Sequence, residues 1–265
     1  MQVREQDLGG GRLMVLASVR GLVREAGEVR AAFESFAPEA VVLPVGPREL
    51  DEIVETLKEK GELPGPPSAR KRKRAAAVGP TGLKDVRRNL AEEESDYDDI
   101  GLFVSGGDMV FLRRLSTFGD VEMPPPSFQE AVRLARGKGA AVIAADFDDL
   151  AYTEVFIAHV RLRHMFFLAR RLRRFEKGKK AATDPEGLAR QWDGGALGLK
   201  AYRLVEQARE EKVAAGILQA MEGNGRVMAL VEVERLAGVT EWLRRMEAAR
   251  SHRVSGDSEA RPSPN

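Results

Sequence analysis

Arg20 and Arg235 stand near opposite ends of the chain in the same local setting. Each closes a short aliphatic run, GRLMVLASVRG at Gly11–Gly21 and RVMALVEVER at 226–235, and each precedes a helical pattern. A guanidinium presents a planar fork of donors that suits a carboxylate or phosphate. It neither ligates a divalent cation nor accepts a proton near neutral pH. Two matched strand ends predict one site built from both termini; the alternative is two solvated strand-end cations. Asp146 follows the apolar run AAVIAA at Ala140–Ala145, and ligands of open α/β sheets collect at such strand ends. Asp148 and Asp149 already offer caps to the next helix, which leaves Asp146 for another role.

Glu232 and Glu234 alternate with apolar residues, so a pleated strand places both on one face, a geometry open to a paired metal site. Arg209 and Glu211 fall inside a helical pattern at Leu197–Met221. With Leu204, Ala208, Ala215 and Leu218 as its apolar stripe, Glu211 lies on that stripe and needs a cation, from Arg20, Arg48 or Arg235. A structural salt bridge and a catalytic carboxylate both remain open for Glu211.

Composition excludes other chemistries. No cysteine is present, which removes disulfides, thiolate nucleophiles and Cys-ligated zinc. Of the three histidines, His159 and His164 sit about 140° apart around a helix, so they do not share a face. No GxxxxGK[ST], GxGxxG, HExxH or GxSxG motif occurs, so neither nucleotide cradling nor zincin or serine-hydrolase chemistry has a motif behind it. Neither a metal nor a cofactor is expected. The charges nearly cancel to +1, so only a local cluster such as Arg70–Arg74 offers nucleic acid a surface. No apolar run reaches the roughly 18–20 residues of a membrane span, and a cytoplasmic protein is expected.

The elements that must position these residues alternate between strands and helices. Arg12–Ser18, Ala40–Val45, Ala140–Ala145 and Arg226–Val233 read as buried strands. Helical spacing marks Glu25–Phe36, Glu49–Lys60, Phe128–Arg136 behind Ser127 as a cap, one long helix over Tyr152–Phe175, Leu197–Met221, and Val239–Ala248. Ile100–Phe118 is helical with a break at Gly106 and Gly107, and Thr183–Gly195 is a connector. A single domain over 1–250 follows, carrying a mobile charged insertion at 62–98 that has little to bury, and ending in a disordered tail at 251–265.

This order resembles the TraB/PrgY family, related to the Tiki and erythromycin-esterase-like proteins. VLASVRG stands where that family has a Gly-Thr-x-His strand, with Ala17, Ser18 and Arg20 in place of Gly, Thr and His. PEAVVLPV at Pro38–Val45 is similar to its Pro-Asp-x-Val-x-x-Glu-Leu strand, with Pro44 in place of the glutamate. GDVEMPPP keeps Glu122 and Met123 of a Pro-Gly-x-Glu-Met segment. AADFDDLAYTE keeps Asp146 of an Asp-Arg-x-Ile-x-x-Thr stretch and, one position offset, Thr153. EQAREEKVAAGIL keeps Arg209 of an Asp-Glu-Arg-Asp helix. LVEVERLAGV aligns with a Val-Gly-x-Gly-His-x-x-Gly-Ile ending, where Glu232, Glu234 and Arg235 replace Gly, Gly and His while Gly238 is kept.

The resemblance implies an α/β fold, a mixed but largely parallel sheet flanked by helices with the terminal strands adjacent. Arginine replaces both family histidines here, which implies a pseudoenzyme that binds a small anionic ligand or a protein partner, in regulation or signalling. An oligomer is compatible with this reading. The alternative is a metal-assisted hydrolase of the Tiki or erythromycin-esterase type, using Glu122, Asp146, Glu211 and Glu232 or Glu234. The expected binding residues are Arg20, Arg48, Glu122, Asp146, Arg209, Glu211, Glu232, Glu234 and Arg235.

Overall fold

A computed structural model describes residues 1–64, 106–178, 182–196 and 198–259. Arg70–Arg74 and all of the expected insertion beyond residue 64 lie outside the described residues. Five strands form one sheet: β1 (Gln2–Leu8), β2 (Gly11–Ser18), β3 (Ala40–Leu43), β4 (Ala141–Ala144) and β5 (Arg226–Glu232). Their spatial order is β1-β2-β5-β3-β4, so the last strand in the chain lies between the second and third. All the pairings among β2, β5, β3 and β4 are parallel, and β1 alone runs antiparallel, against β2.

Helices cover both faces, which is why the parallel strands read as unbroken apolar runs rather than alternating ones. Met14, Leu16, Leu43, Met228 and Leu230 point to the layer of α1 (Glu25–Phe36), α2 (Pro47–Glu59) and α4 (Pro126–Lys138). Leu13, Val15, Ala17, Val227, Ala229 and Val231 point to the opposite layer. That layer holds α3 (Gly106–Leu115), α7 (Pro185–Gln191), α8 (Lys200–Gly223) and α9 (Leu236–Glu259). Phe111, Leu188, Ile217 and Val239 are their inward residues.

Several elements differ from the sequence reading. β1 is unexpected because most of its residues are exposed and polar, as suits an edge strand. Its turn was visible: Gly9 and Gly10 have φ of 59° and 85°, the left-handed pair that a two-residue hairpin requires. The single helix expected at Tyr152–Phe175 is two, α5 (Asp149–His159) and α6 (Leu162–Lys177). Val160 leaves the helical conformation and buries itself beside Tyr202 and Val205. A straight helix would hold Val160 roughly 90° round its axis from Leu172 and Phe175, which pack on the main core. The break lets each set meet its own core. α4 starts at Pro126, with proline pre-set for the first turn, and Ser127 is buried inside it instead of capping it. Part of the expected connector is helical as α7, capped by Asp184, which accepts from Gly187 N at 2.6 Å. The backbone of α9 runs into the expected tail as far as Glu259.

The parallel strands all end at one edge of the sheet. Val233 N donates to Ser18 O at 2.9 Å, and Asp146 N donates to Val45 O at 3.1 Å, so the segments after the strands stay in register there. No described helix is long and apolar enough to cross a membrane.

Gly216 lets α8 approach that edge. A Cβ there would stand 2.6 Å from the Ala145 Cβ and 3.3 Å from its Cα, with backbone rather than a flexible side chain in the way. Gly216→Val is therefore expected to cost about 1–3 kcal/mol through overpacking. Thermal unfolding measures this, and an unchanged midpoint would disprove the close approach.

Candidate functional site

The edge where the parallel strands end opens into a cavity of about 590 Å³, within the range of small-molecule sites. The loops after the strands supply its polar floor: Arg20 after β2, Glu49 in the first turn of α2, Asp146 after β4, and Glu232, Glu234 and Arg235 from the end of β5. α8 adds Glu206 and Arg209. Phe147, Tyr152, Leu168, Leu172, Trp192 and Tyr202 form the apolar walls.

Five of these side chains form a chain of alternating charge. Asp146 Oδ2 accepts from Arg209 Nε and Nη2 at 2.7 and 2.5 Å. Arg209 Nη1 lies 3.6 Å from Glu206 Oε1, and the other Glu206 oxygen pairs with Arg235 Nη2. Arg235 Nε in turn lies 3.5 Å from Glu232 Oε2, an ion pair without hydrogen-bond geometry. Asp146 Oδ1 is held separately by Phe147 N at 2.8 Å, and the Tyr152 ring lies 5.7 Å from the Arg209 guanidinium carbon. Burial alone would lower the Arg209 pKa, but the charges of Asp146 and Glu206 outweigh it and hold the pKa well above the ordinary guanidinium value.

Three polar atoms of the lining have no hydrogen-bond partner among the described residues: Glu232 Oε2, Glu234 Oε2 and Arg235 Nη1. Ser18 Oγ, paired in register with Glu232, is a fourth such atom at the same strand ends. Burial and the neighbouring Glu232 charge push the Glu234 pKa from 4.5 up to about 7. Glu49 is raised too, chiefly by burial, although it accepts from Gly46 N at 2.8 Å. Formally the lining carries three arginines and six carboxylates, so the arginines are more than matched.

The residues singled out from sequence divide into two groups. Arg20, Asp146, Arg209, Glu232, Glu234 and Arg235 line this one cavity, with Arg20 reaching across to Asp108 at 3.9 Å. Arg48, Glu122 and Glu211 do not line it. Arg48 pairs with Asp149 at 2.6 Å on an exposed surface. Glu122 pairs with Lys60, and Gln129 Nε2 donates to it at 3.2 Å. Glu211 is exposed, because the buried face of α8 lies elsewhere than the stripe read through Leu204 and Ala215. The buried carboxylates of α8 are Glu206 and Glu210. The sequence did hold the right signal: Val205, Arg209, Val213, Ile217 and Met221 recur at a spacing of four, and Glu206 follows the first of them. Among the described residues no three His, Asp or Glu side chains form a group fit to hold a metal ion. No protein-family model matches this sequence, and no curated protein matches it.

Removing one member of the Asp146–Arg209 pair leaves the other charge buried. Arg209→Ala is expected to cost about 3–5 kcal/mol, and the Asp146→Ala/Arg209→Ala double variant less than the sum of the single losses. Denaturant unfolding tests this, and strictly additive losses would rule out the coupling.

Glu234 gives a pH signature. With its folded pKa raised, the native state holds its proton up to about pH 7 while the unfolded chain loses it near 4.5, so stability falls as pH rises through that window. Glu25, also raised to about 7 by burial, adds a slope of the same sign. Glu234→Gln is expected to gain about 1–3 kcal/mol on the natural protein between pH 4.5 and 8. Parallel stability curves for the two proteins would contradict the buried setting of Glu234.

Proposed function

We propose that this chain is a divergent TraB-like protein that acts by binding, with a small zwitterionic ligand in the cavity at the sheet edge and a regulatory or signalling role. The lining atoms without a hydrogen bond among the described residues carry this reading: the donor Arg235 Nη1 and the acceptors Glu232 Oε2, which has only an ion pair to Arg235 Nε, and Glu234 Oε2. Buried polar groups are nearly always paired in native proteins. One donor and two acceptors in one cavity therefore suit a ligand that brings a carboxylate to Arg235 and an ammonium to the glutamates. A simple anion would satisfy the arginine but meet six carboxylates in the same lining. This narrows the anionic ligand expected from sequence to one that also carries a positive group. The resemblance supports a binding role over catalysis, because Arg20 and Arg235 stand where its two histidines would be.

One observation favours a hydrolase as the second reading. Glu234, with a pKa of about 7, is matched to general-base work at neutral pH. Thermal shift with free amino acids at millimolar concentration, beside sulfate as the simple anion, separates the possibilities. Stabilisation of several degrees by an amino acid, lost in Arg235→Ala and in Glu232→Gln, is expected. Stabilisation by sulfate alone would return the ligand to a plain anion. Manganese-dependent turnover of a p-nitrophenyl ester or a fluorogenic peptide, lost in Glu234→Gln, would put the hydrolase in its place.

A further inference from the structure

The consecutive helices α5 and α6 carry exposed side chains of which only Tyr152 lines the cavity. Among the described residues ten large hydrophobic side chains stand exposed, and seven of them fall between Leu150 and Phe167. Leu162 is 86% exposed, Phe166 71% and Ile157 67%, with Met165 beside them at the N-terminal end of α6. From Arg161 to Lys177 the sequence RLRHMFFLARRLRRFEK has seven cations and a single carboxylate, Glu176, in a chain whose overall charge is only +1. Glu176 is already paired with Arg113. Leu168, Leu172 and Phe175 give α6 its inward face. The exposed side thus has an apolar end at Leu162, Met165 and Phe166, followed by Arg170, Arg173, Arg174 and Lys177.

We propose that the outer side of α6 docks the protein onto an anionic lipid surface, with Leu162, Met165 and Phe166 entering the headgroup boundary and the α6 arginines meeting lipid phosphates. Apolar residues at one end and cations along the rest are the two components of interfacial helix binding. Arginine suits this role, since its fork of donors matches phosphate. A second copy of the chain fits the same surface poorly. A symmetric contact lays a patch on itself and would set the six cations of one α6 against those of its mate. Nucleic acid would satisfy the arginines but give Leu162 and Met165 nothing to bury against. The inference stands on the outer side of α6 alone and is independent of what the cavity binds.

Sedimentation with vesicles tests it, using phosphatidylcholine alone and phosphatidylcholine with about 30 mol % phosphatidylserine. The intact protein is expected to bind the anionic vesicles at least about tenfold more tightly, and less so as salt rises. Leu162→Asp/Phe166→Asp and Arg170→Glu/Arg173→Glu should each abolish that binding with the thermal midpoint unchanged, because all four side chains are exposed. Phe166→Trp supplies a readout that does not depend on disruptive substitutions: its emission should shift blue on anionic vesicles and stay unshifted on neutral ones. Equal binding to both vesicles, binding that survives both double variants, or no blue shift would overturn the proposal. So would a concentration-dependent dimer lost in Leu162→Asp/Phe166→Asp, or retention of a DNA duplex, in protein that ignores the vesicles.

Discussion

The buried ion-pair chain Asp146–Arg209–Glu206–Arg235–Glu232 is the constraint on which the functional end of this protein rests. It joins three separate parts of the sequence, the end of β4, the middle of α8 and the end of β5. Charges taken out of water cost several kcal/mol each unless they are paired. α8 therefore sits where Arg209 reaches Asp146 and Glu206 reaches Arg235, and Gly216 permits the approach two turns further along. Hydrophobic packing fixes the layers; the charges fix how the helix lies on the sheet edge.

The same chain sets what the cavity accepts. Arg209 is committed on both sides, to Asp146 and to Glu206. Arg235 is committed through Nη2 and Nε, but among the described residues Nη1 has no hydrogen-bond partner. An arginine-bearing cavity is easily taken for an anion site. Here the count of carboxylates reverses that expectation, and a ligand of mixed charge suits the lining better. Glu234 belongs to the same balance: its own burial and Glu232 beside it keep its proton on up to about pH 7, so the cavity gains negative charge as pH rises through the neutral range.

The apolar walls connect this site to the outer side of α6. Leu168 and Leu172 line the cavity from one side of α6, while Leu162, Phe166, Arg170 and Arg173 are exposed. A contact on the outer surface of α6 therefore acts on a helix that also bounds the ligand.

Local sequence determined much of the scaffold. The aliphatic runs ending at Ser18 and Glu232 are strands, and they lie side by side although more than two hundred residues separate them. The helix at Glu25–Phe36 follows from spacing alone, and Arg20, Asp146, Glu232, Glu234 and Arg235 were recognisable because each is polar at the end of an apolar run, while Arg209 stood out through the resemblance and not through the stripe first read along its helix. Three things were decided only by tertiary structure. The phase of α8 depends on which side meets the sheet, and its mix of small and charged residues allowed two stripes; packing on Ala145 chose the one that buries Glu206 and exposes Glu211. The break at Val160 exists because two cores lie at different angles round α6. The state of the arginines depends on which carboxylates surround them, and those come from β4, α8 and β5, whose convergence no local pattern encodes.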